Sequence, residues 1–341
     1  MSKKINILSI DGGGIRGIIP AIILEYMEQE LQRKSGDSNA TLADYFDMIA
    51  GTSTGGILTC FYLLPPSSPQ GANSKYFAGE AVRIYAERGK EIFDPKVGKP
   101  FRMLSNLFSA KYSVEGLENI LKEVMGDITL SQARKHCLVT AYDIANRKAV
   151  FFTTPQAKQY SHRDYYMRDI ARSTSAAPTY FKLADIRSAG GATSYLIDGA
   201  MYAGDPTMCA LVEANKSIFE KCANPSVKDL YIVSLGTGKE AKKYDHKKAQ
   251  KWGIAQWAVP VLNILMSSSA EVVSYQVRQL FEVAGCKENY VRLEPGLCEA
   301  KPEMDDVSDE NIKNLKNAGL SYIKEHAEKL DSIVNELIAN K

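Results

Sequence analysis

Two glycine-bounded stretches carry the residues best suited to chemistry. Gly51-Thr52-Ser53-Thr54-Gly55 has the form G-x-S-x-G and lies between a short apolar run, Phe46 to Ala50, and a segment from Gly55 to Leu64 that is apolar all round. A strand, this pentapeptide and a helix make the context of a nucleophile elbow, in which flanking glycines permit a tight turn and leave a serine hydroxyl exposed at a helix N-terminus. The same small residues also permit plain close packing of a helix on a sheet. Upstream, Asp11-Gly12-Gly13-Gly14-Ile15-Arg16-Gly17 follows the apolar run Ile5 to Ile10 and precedes Ile18, Ile22, Ile23, Tyr26, Met27 and Leu31 at helical spacing. It matches G-x-G-x-x-G, yet the acidic residue a dinucleotide site needs about 20 positions on is replaced by Arg33-Lys34-Ser35-Gly36. A glycine loop at a helix start still offers free backbone N–H groups to any developing anion.

Ser53 needs a base. A histidine triad is poorly supplied: the chain has four histidines, His136, His162, His246 and His326. His246 sits in a lysine-rich stretch and His326 on a polar helix face. The elbow also follows only the second strand, earlier than in an α/β-hydrolase, and the third residue after Ser53 is Gly56, not lysine. The remaining candidate is Asp198 in Leu196-Ile197-Asp198-Gly199-Ala200, which closes an apolar strand. Its carboxylate is expected at the C-terminal edge of the sheet, where ligands of open α/β sheets bind. Asp-Gly after a strand is also an ordinary turn former.

The elements that must position these residues read as an α/β fold. After the strands at 5–10 and 46–50, further strands are expected at 137–142, 149–153, 194–197, 229–235 and 289–293. Helices are expected around 166–173, 206–221, 252–266 and 308–338. Strands alternating with helices imply a three-layer α/β/α arrangement around a mostly parallel sheet. Pro65-Pro66-Ser67-Ser68-Pro69 opens an insertion running to about 112, with aromatic helical patches at Tyr85, Phe93, Phe101 and Phe108. No repeat, linker or change of composition divides the chain, so one domain over 1–341 is expected, with a core at about 5–210 and C-terminal strand and helices at 211–341.

Composition excludes several classes. The chain has 341 residues, 45% hydrophobic and 24% charged, in the ordinary globular range. Forty-two basic against forty acidic residues give a net charge of +2, with no global drive toward nucleic acid. Six cysteines without a C-x-x-C pair read as reduced thiols of a cytosolic protein. No apolar stretch approaches a membrane span. Lys239, Lys242, Lys243, Lys247, Lys248 and Lys251 crowd a segment holding only Glu240 and Asp245 as acids. Trp252, Ile254, Trp257, Val261, Leu262 and Leu265 follow on one helical stripe. That pairing suits an anionic membrane surface, but a solvated loop before a core-facing helix is the preferred reading.

Taken together the motifs resemble the patatin family of lipid acyl hydrolases. The family's glycine-rich oxyanion loop is matched by Asp11 to Gly17, its elbow by Gly51 to Gly55 and its D-G-[AG] element by Asp198-Gly199-Ala200. Ser173 to Phe181 (STSAAPTYF) and Ser234-Leu235-Gly236-Thr237-Gly238 are similar to further family stretches. Trp252-Gly253 with Trp257 and Pro260, and Met304 to Ser308 (MDDVS), are similar to its plant-type branch.

The resemblance implies a Ser53–Asp198 dyad without histidine, an acyl-Ser53 intermediate and an oxyanion hole at Gly12, Gly13, Gly14 and Thr54, with Arg16 anchoring the loop or meeting a lipid phosphate. Gly51, Gly55 and Gly199 are the motif glycines. An ordinary aspartate, with a pKa near 4, is a feeble base for serine. The implied substrate is a phospholipid or other glycerolipid at a membrane surface, with no cofactor and no metal, and oligomeric state is left open. Secreted plant members carry a signal peptide, whereas here Ile5 already opens the first strand. The expected location is therefore cytoplasmic, peripheral at membranes, with a secreted effector lacking a cleaved signal as the alternative. A ligand- or partner-activated patatin-fold effector phospholipase and a lipid-binding or storage protein with vestigial activity are the competing functions.

Overall fold

The computed structural model describes residues 3–66, 76–93, 110–239 and 245–341. Phe101, Phe108, Ser67, Ser68, Pro69, Glu240, Lys242 and Lys243 lie outside the described residues. The strands are β1 (Ile5–Ile10), β2 (Met48–Gly51), β3 (His136–Asp143), β4 (Lys148–Thr153), β5 (Ala184–Arg187), β6 (Thr193–Asp198), β7 (Leu230–Leu235) and β8 (Tyr290–Leu293). The first helices are α1 (Ile18–Ser35), α2 (Leu42–Tyr45), α3 (Thr54–Tyr62), α4 (Ala78–Ile92), α5 (Glu115–Met125) and α6 (Thr154–Gln159). They are followed by α7 (Met167–Thr174), α8 (Thr207–Asn215), α9 (His246–Ala249), α10 (Ile254–Val283), α11 (Asp309–Glu325) and α12 (Ala327–Asn340).

All these strands join one sheet in the order β5-β6-β3-β2-β1-β7-β8, with β4 on β3. From β3 to β8 the neighbours are parallel. The two-residue period of the strands sorts their side chains to two faces. Ile5, Ile7, Met48, Ala50, Leu138, Leu230 and Ile232 pack beneath α8 and α10. Leu8, Ile10, Ile49, Val139, Val233 and Leu235 pack with α1, α3, α11 and α12 on the other side. Because both faces are covered, β1 and β7 are buried throughout, their polar Asn6, Ser9 and Ser234 included. The structure is the expected three-layer α/β/α arrangement.

One end of the sheet departs from parallel order. β4 and β6 both run antiparallel to β3, and β5 antiparallel to β6. β3 has β4 along one edge and changes partner along the other: β2 lies beside residues 136–139 and β6 beside 141–143. β5, which is not among the expected strands, is an edge strand of only four residues, too short for its alternation of buried Ala184 and Ile186 with exposed Asp185 and Arg187 to stand out.

Helix limits shift as well. The helix expected at 252–266 continues to Val283, passing through serines whose hydroxyls bond back to the carbonyls of Ile264 and Leu265. The helix expected at 308–338 is two, broken at His326, and the one expected at 206–221 stops at Asn215.

Candidate active site

The partner change on β3 assembles the site. β2 ends at Gly51 opposite Val139, and β6, running the other way, ends at Asp198 opposite Ala141. The C-terminal ends of the two strands therefore approach one another along the same edge of β3. Asp198 sits just past the C-terminal end of β2, at the expected edge of the parallel strands, but the strand that carries it runs the other way. It reaches Ser53 from an antiparallel strand.

Ser53 lies between β2 and α3 with φ 56° and ψ −124°, a left-handed conformation that a serine adopts only where its surroundings enforce it. The enforcement is visible. Thr52 N–H donates to Ile10 O at 3.2 Å, Ser53 N–H donates to Thr174 Oγ1 at 2.8 Å, and Thr52 Oγ1 donates to Ala203 O at 2.6 Å. The flanking glycines are demanded by contact: a Cβ on Gly55 would stand 2.1 Å from Ile10 O, and one on Gly51 would stand 2.1 Å from Gly55 O. Thr174 belongs to the 173–181 motif, whose role is thereby given: it holds the elbow and lends Ser175, Pro178 and Phe181 to the cleft wall.

Asp198 is 2% exposed, and its Oδ1 accepts the Ala200 N–H at 2.8 Å. Burial raises its carboxyl to about 7, against the opposing hydrogen bonds of the Ala200 N–H and the Ser53 side chain. The weak base expected from an ordinary aspartate is thus retuned toward neutrality by desolvation.

The glycine loop crosses the same region. Gly12 N–H donates to Gly204 O at 3.0 Å, so its place among the expected oxyanion donors is corrected: that hydrogen is already committed. No hydrogen-bond partner for the N–H of Gly13, Gly14 or Thr54 is found among the described residues. Gly14 and Thr54 line the cleft with Ser53 and Asp198. Arg16 turns its Nε to Gly13 O at 3.3 Å, an anchor for the loop. Ile15 N–H donates to Met304 O at 2.8 Å, and Thr237 Oγ1 donates to Gly12 O at 2.6 Å, so the 304–308 and 234–238 motifs both brace this loop.

Two contributors escaped the sequence reading. Arg292 on β8 grips Asp11, at the head of the loop, with contacts of 2.6 and 2.9 Å. An arginine inside the otherwise apolar strand Tyr290–Leu293 was the available signal, since a buried charge requires a partner. Tyr85 on α4 bonds the Thr54 hydroxyl through its own and lines the cleft.

The cleft holds about 780 Å³ of open space, and beyond Ser53 and Asp198 its walls are mostly apolar, including Ile57, Ile92, Leu117 and Phe181. None of the four histidines lines it. Among the described residues no group of three or more His, Cys, Asp or Glu is placed to hold a metal. No helix among them is long and apolar enough to cross a membrane.

The preferred reading of α10 as core-facing is corrected. Its C-terminal half buries Val277 and Phe281, while Trp257, Val261 and Leu265 are exposed. The side chains of Lys248, Ile254 and Leu262 lie outside the described residues. Ile264, Val272 and Tyr275 extend the exposed stripe. Trp252 meets Trp257 edge to face at 5.0 Å.

Residues 8–211 match the patatin-like phospholipase family. The chain is 35% identical to patatin-like protein 2 of Oryza sativa subsp. indica, an alignment covering 96% of this chain and 86% of that protein. It is 34% identical to patatin group J-1 of Solanum tuberosum, with the same coverage of 96% and 86%. It is also 34% identical to a potato protein named "Probable inactive patatin-3-Kuras 1", over 95% of this chain and 87% of that one. With the elbow, the glycine loop and the D-G-A turn gathered at one cleft, the chain belongs to the patatin-like phospholipase family.

Proposed function

We propose that this chain is a serine lipid acyl hydrolase of the phospholipase A or lysophospholipase type, acting through Ser53 and Asp198. Family membership supports lipid acyl hydrolase activity in general terms. The finer reading rests on one observation: a serine held at φ 56° and a buried aspartate raised to about 7 share the wall of one largely apolar cleft.

In this reading Ser53 Oγ attacks the ester carbonyl carbon while its proton passes to Asp198. The oxyanion accepts the N–H groups of Gly13, Gly14 and Thr54; one such donor is typically worth about 3 kcal/mol. Collapse expels the alcohol, which takes the proton back from Asp198 and leaves acyl-Ser53. Water then attacks with Asp198 again as base, releasing the fatty acid.

The chain works as one unit, because β7 and β8 complete the sheet that carries the elbow and Arg292 holds Asp11. Substrate is met at an anionic lipid surface through the exposed stripe of α10, which follows Lys247 and Lys251 in sequence and packs against the turn Gly199–Met201 beside Asp198. A member with vestigial activity is favoured by the name of one relative, which calls that protein probably inactive; Ser53, Asp198 and the glycine loop, all present in this chain, weigh against it.

A fluorophosphonate probe on wild type and Ser53→Ala, with product analysis on a lipid panel, tests the proposal. Labelling at Ser53 with fatty acid release is expected. Labelling elsewhere, or full activity in the alanine variant, overturns it.

A further inference from the structure

A second apolar chamber lies between α3, α4 and α5, its lining bounding about 290 Å³ with the open solvent at its mouth included. Leu58, Phe61, Ala81, Ile120, Leu121 and Met125 line it. Ile57 and Tyr85 belong to its wall and to the wall of the cleft, so these two side chains form the partition between them. Tyr85 is fixed, because its hydroxyl bonds Thr54. Ile57 is only partly buried and stands one turn beyond Ser53 on the same helix, its N–H bonded to Ser53 O at 3.0 Å. Of the two, it is the half of the partition that no hydrogen bond ties down and that is less deeply buried.

We propose that this chamber seats the distal part of the acyl chain whose ester is cleaved at Ser53, with Ile57 as the gate and α4 and α5 as the walls that set chain length. The inference rests on the proposed acyl hydrolase reading and adds a substrate class to it: single straight acyl chains long enough to pass Ile57.

Helix geometry gives the lengths. At 1.5 Å per residue, Ile57 stands about 6 Å along α3 from Ser53 and Phe61 about 12 Å. An extended chain advances about 1.3 Å per methylene. A butyryl group therefore ends before the gate, about five carbons reach it, and about nine reach Phe61. No polar side chain besides Tyr85 lines the chamber, so each methylene entering it leaves water for an apolar wall. At about 0.8 kcal/mol per buried methylene the rate constant kcat/KM should rise about fourfold per added carbon between hexanoyl and decanoyl, then level off.

The test measures kcat/KM for a series of p-nitrophenyl esters from butyryl to palmitoyl, with Ser53 labelling rates for alkyl fluorophosphonates of matching lengths. Ala81→Leu intrudes on the chamber and should lower the decanoyl-to-butyryl ratio at least tenfold. Met125→Ala enlarges it and should move the optimum to longer chains. Thermal melting identifies a variant that fails to fold, and the other variant then decides, since their expected shifts have opposite sign. A wild-type profile with no dependence on chain length, or ratios unmoved in a folded variant, overturns the chamber assignment while short-probe labelling of Ser53 leaves the hydrolase reading standing. If wild type cleaves none of these esters and Ser53 takes up no probe, both fall.

Discussion

Arg292 and Asp11, near opposite ends of the chain, meet in a two-pronged ion pair: Nη2 to Oδ2 at 2.6 Å and Nη1 to Oδ1 at 2.9 Å. Both side chains are buried, and Nη1 also donates to Ser234 Oγ at 2.8 Å and stands 3.3 Å from Asp205. Arg292→Gln strips two buried carboxylates of their cation. Breaking such a pair from one side typically costs about 3–5 kcal/mol. The urea midpoint of the variant should fall accordingly, and its rate of Ser53 labelling should fall too, because Asp11 leads directly into the glycine loop.

Asp198→Asn should reduce ester hydrolysis by about 10²–10⁴-fold, the usual worth of a positioned base. Single replacement of His162, His246 or His326 by Gln should leave turnover near wild type, since none of these rings lines the cleft. A folded histidine variant as damaged as Asp198→Asn would replace the dyad with a triad.

The pH profile carries a signature. Asp198 is raised to about 7 by burial, and it must be ionised to accept a proton, so kcat/KM on a soluble ester should climb through an inflection near pH 7 and then level. An inflection near 4 would contradict the buried base. Stability runs the other way. With a folded value above the unfolded one near 4, the protein prefers Asp198 protonated, and stability is lost as pH rises from about 4 through 7. Asp198→Asn should therefore be inactive yet melt higher than wild type at pH 8.

Removing the serine hydroxyl removes one of the two hydrogen bonds that hold the Asp198 value down. In Ser53→Ala the carboxyl should titrate above its wild-type value, a shift measurable by carbon-13 NMR of labelled aspartate. An unchanged value would mean that the two side chains do not interact.

Exposed Trp257, Val261 and Leu265 predict a split between substrates. Replacing the three by Gln should weaken sedimentation with anionic vesicles and slow hydrolysis of vesicle lipid, with little change on a short soluble ester. Lys247→Gln with Lys251→Gln should act in the same direction, at up to about 1 kcal/mol per lysine, and added salt should close the gap to wild type. Should the triple variant instead lose a dimer in light scattering while vesicle binding stays intact, the stripe would be a contact between copies.

The features legible in the sequence are those encoded locally. Ser53 could be found because strand, glycine-flanked turn and helix are contiguous, and the apolar runs of β1 and β7 announce strands covered on both faces. Asp198 was legible as a residue closing a strand, but its direction of approach was not, since strand polarity depends on which neighbour β3 accepts. The Arg292–Asp11 pair, Tyr85 over Thr54 and the engaged N–H of Gly12 all join segments distant in sequence; only Arg292, a charge within an apolar strand, leaves a local mark, and that mark does not name its partner. On α10 the period located the apolar stripe correctly. Periodicity is the same whether a stripe meets core or solvent, so the wrong side was chosen.

The partner change along one edge of β3 also bears on how freely this scaffold can be rebuilt. Ser53 and Asp198 each sit within two residues of a strand docked on β3, so their separation is set by two short ladders and is insensitive to the chain between them. A slip of one residue in β6 would carry Asp198 about 3.3 Å and turn its side chain to the opposite face, disarming the enzyme at once. Lengthening or replacing α4 and α5, by contrast, alters neither ladder. On the proposed reading, chain-length selectivity is therefore open to redesign through α5 and the part of α4 beyond Tyr85, while Ser53 and Asp198 keep their places on the two ladders.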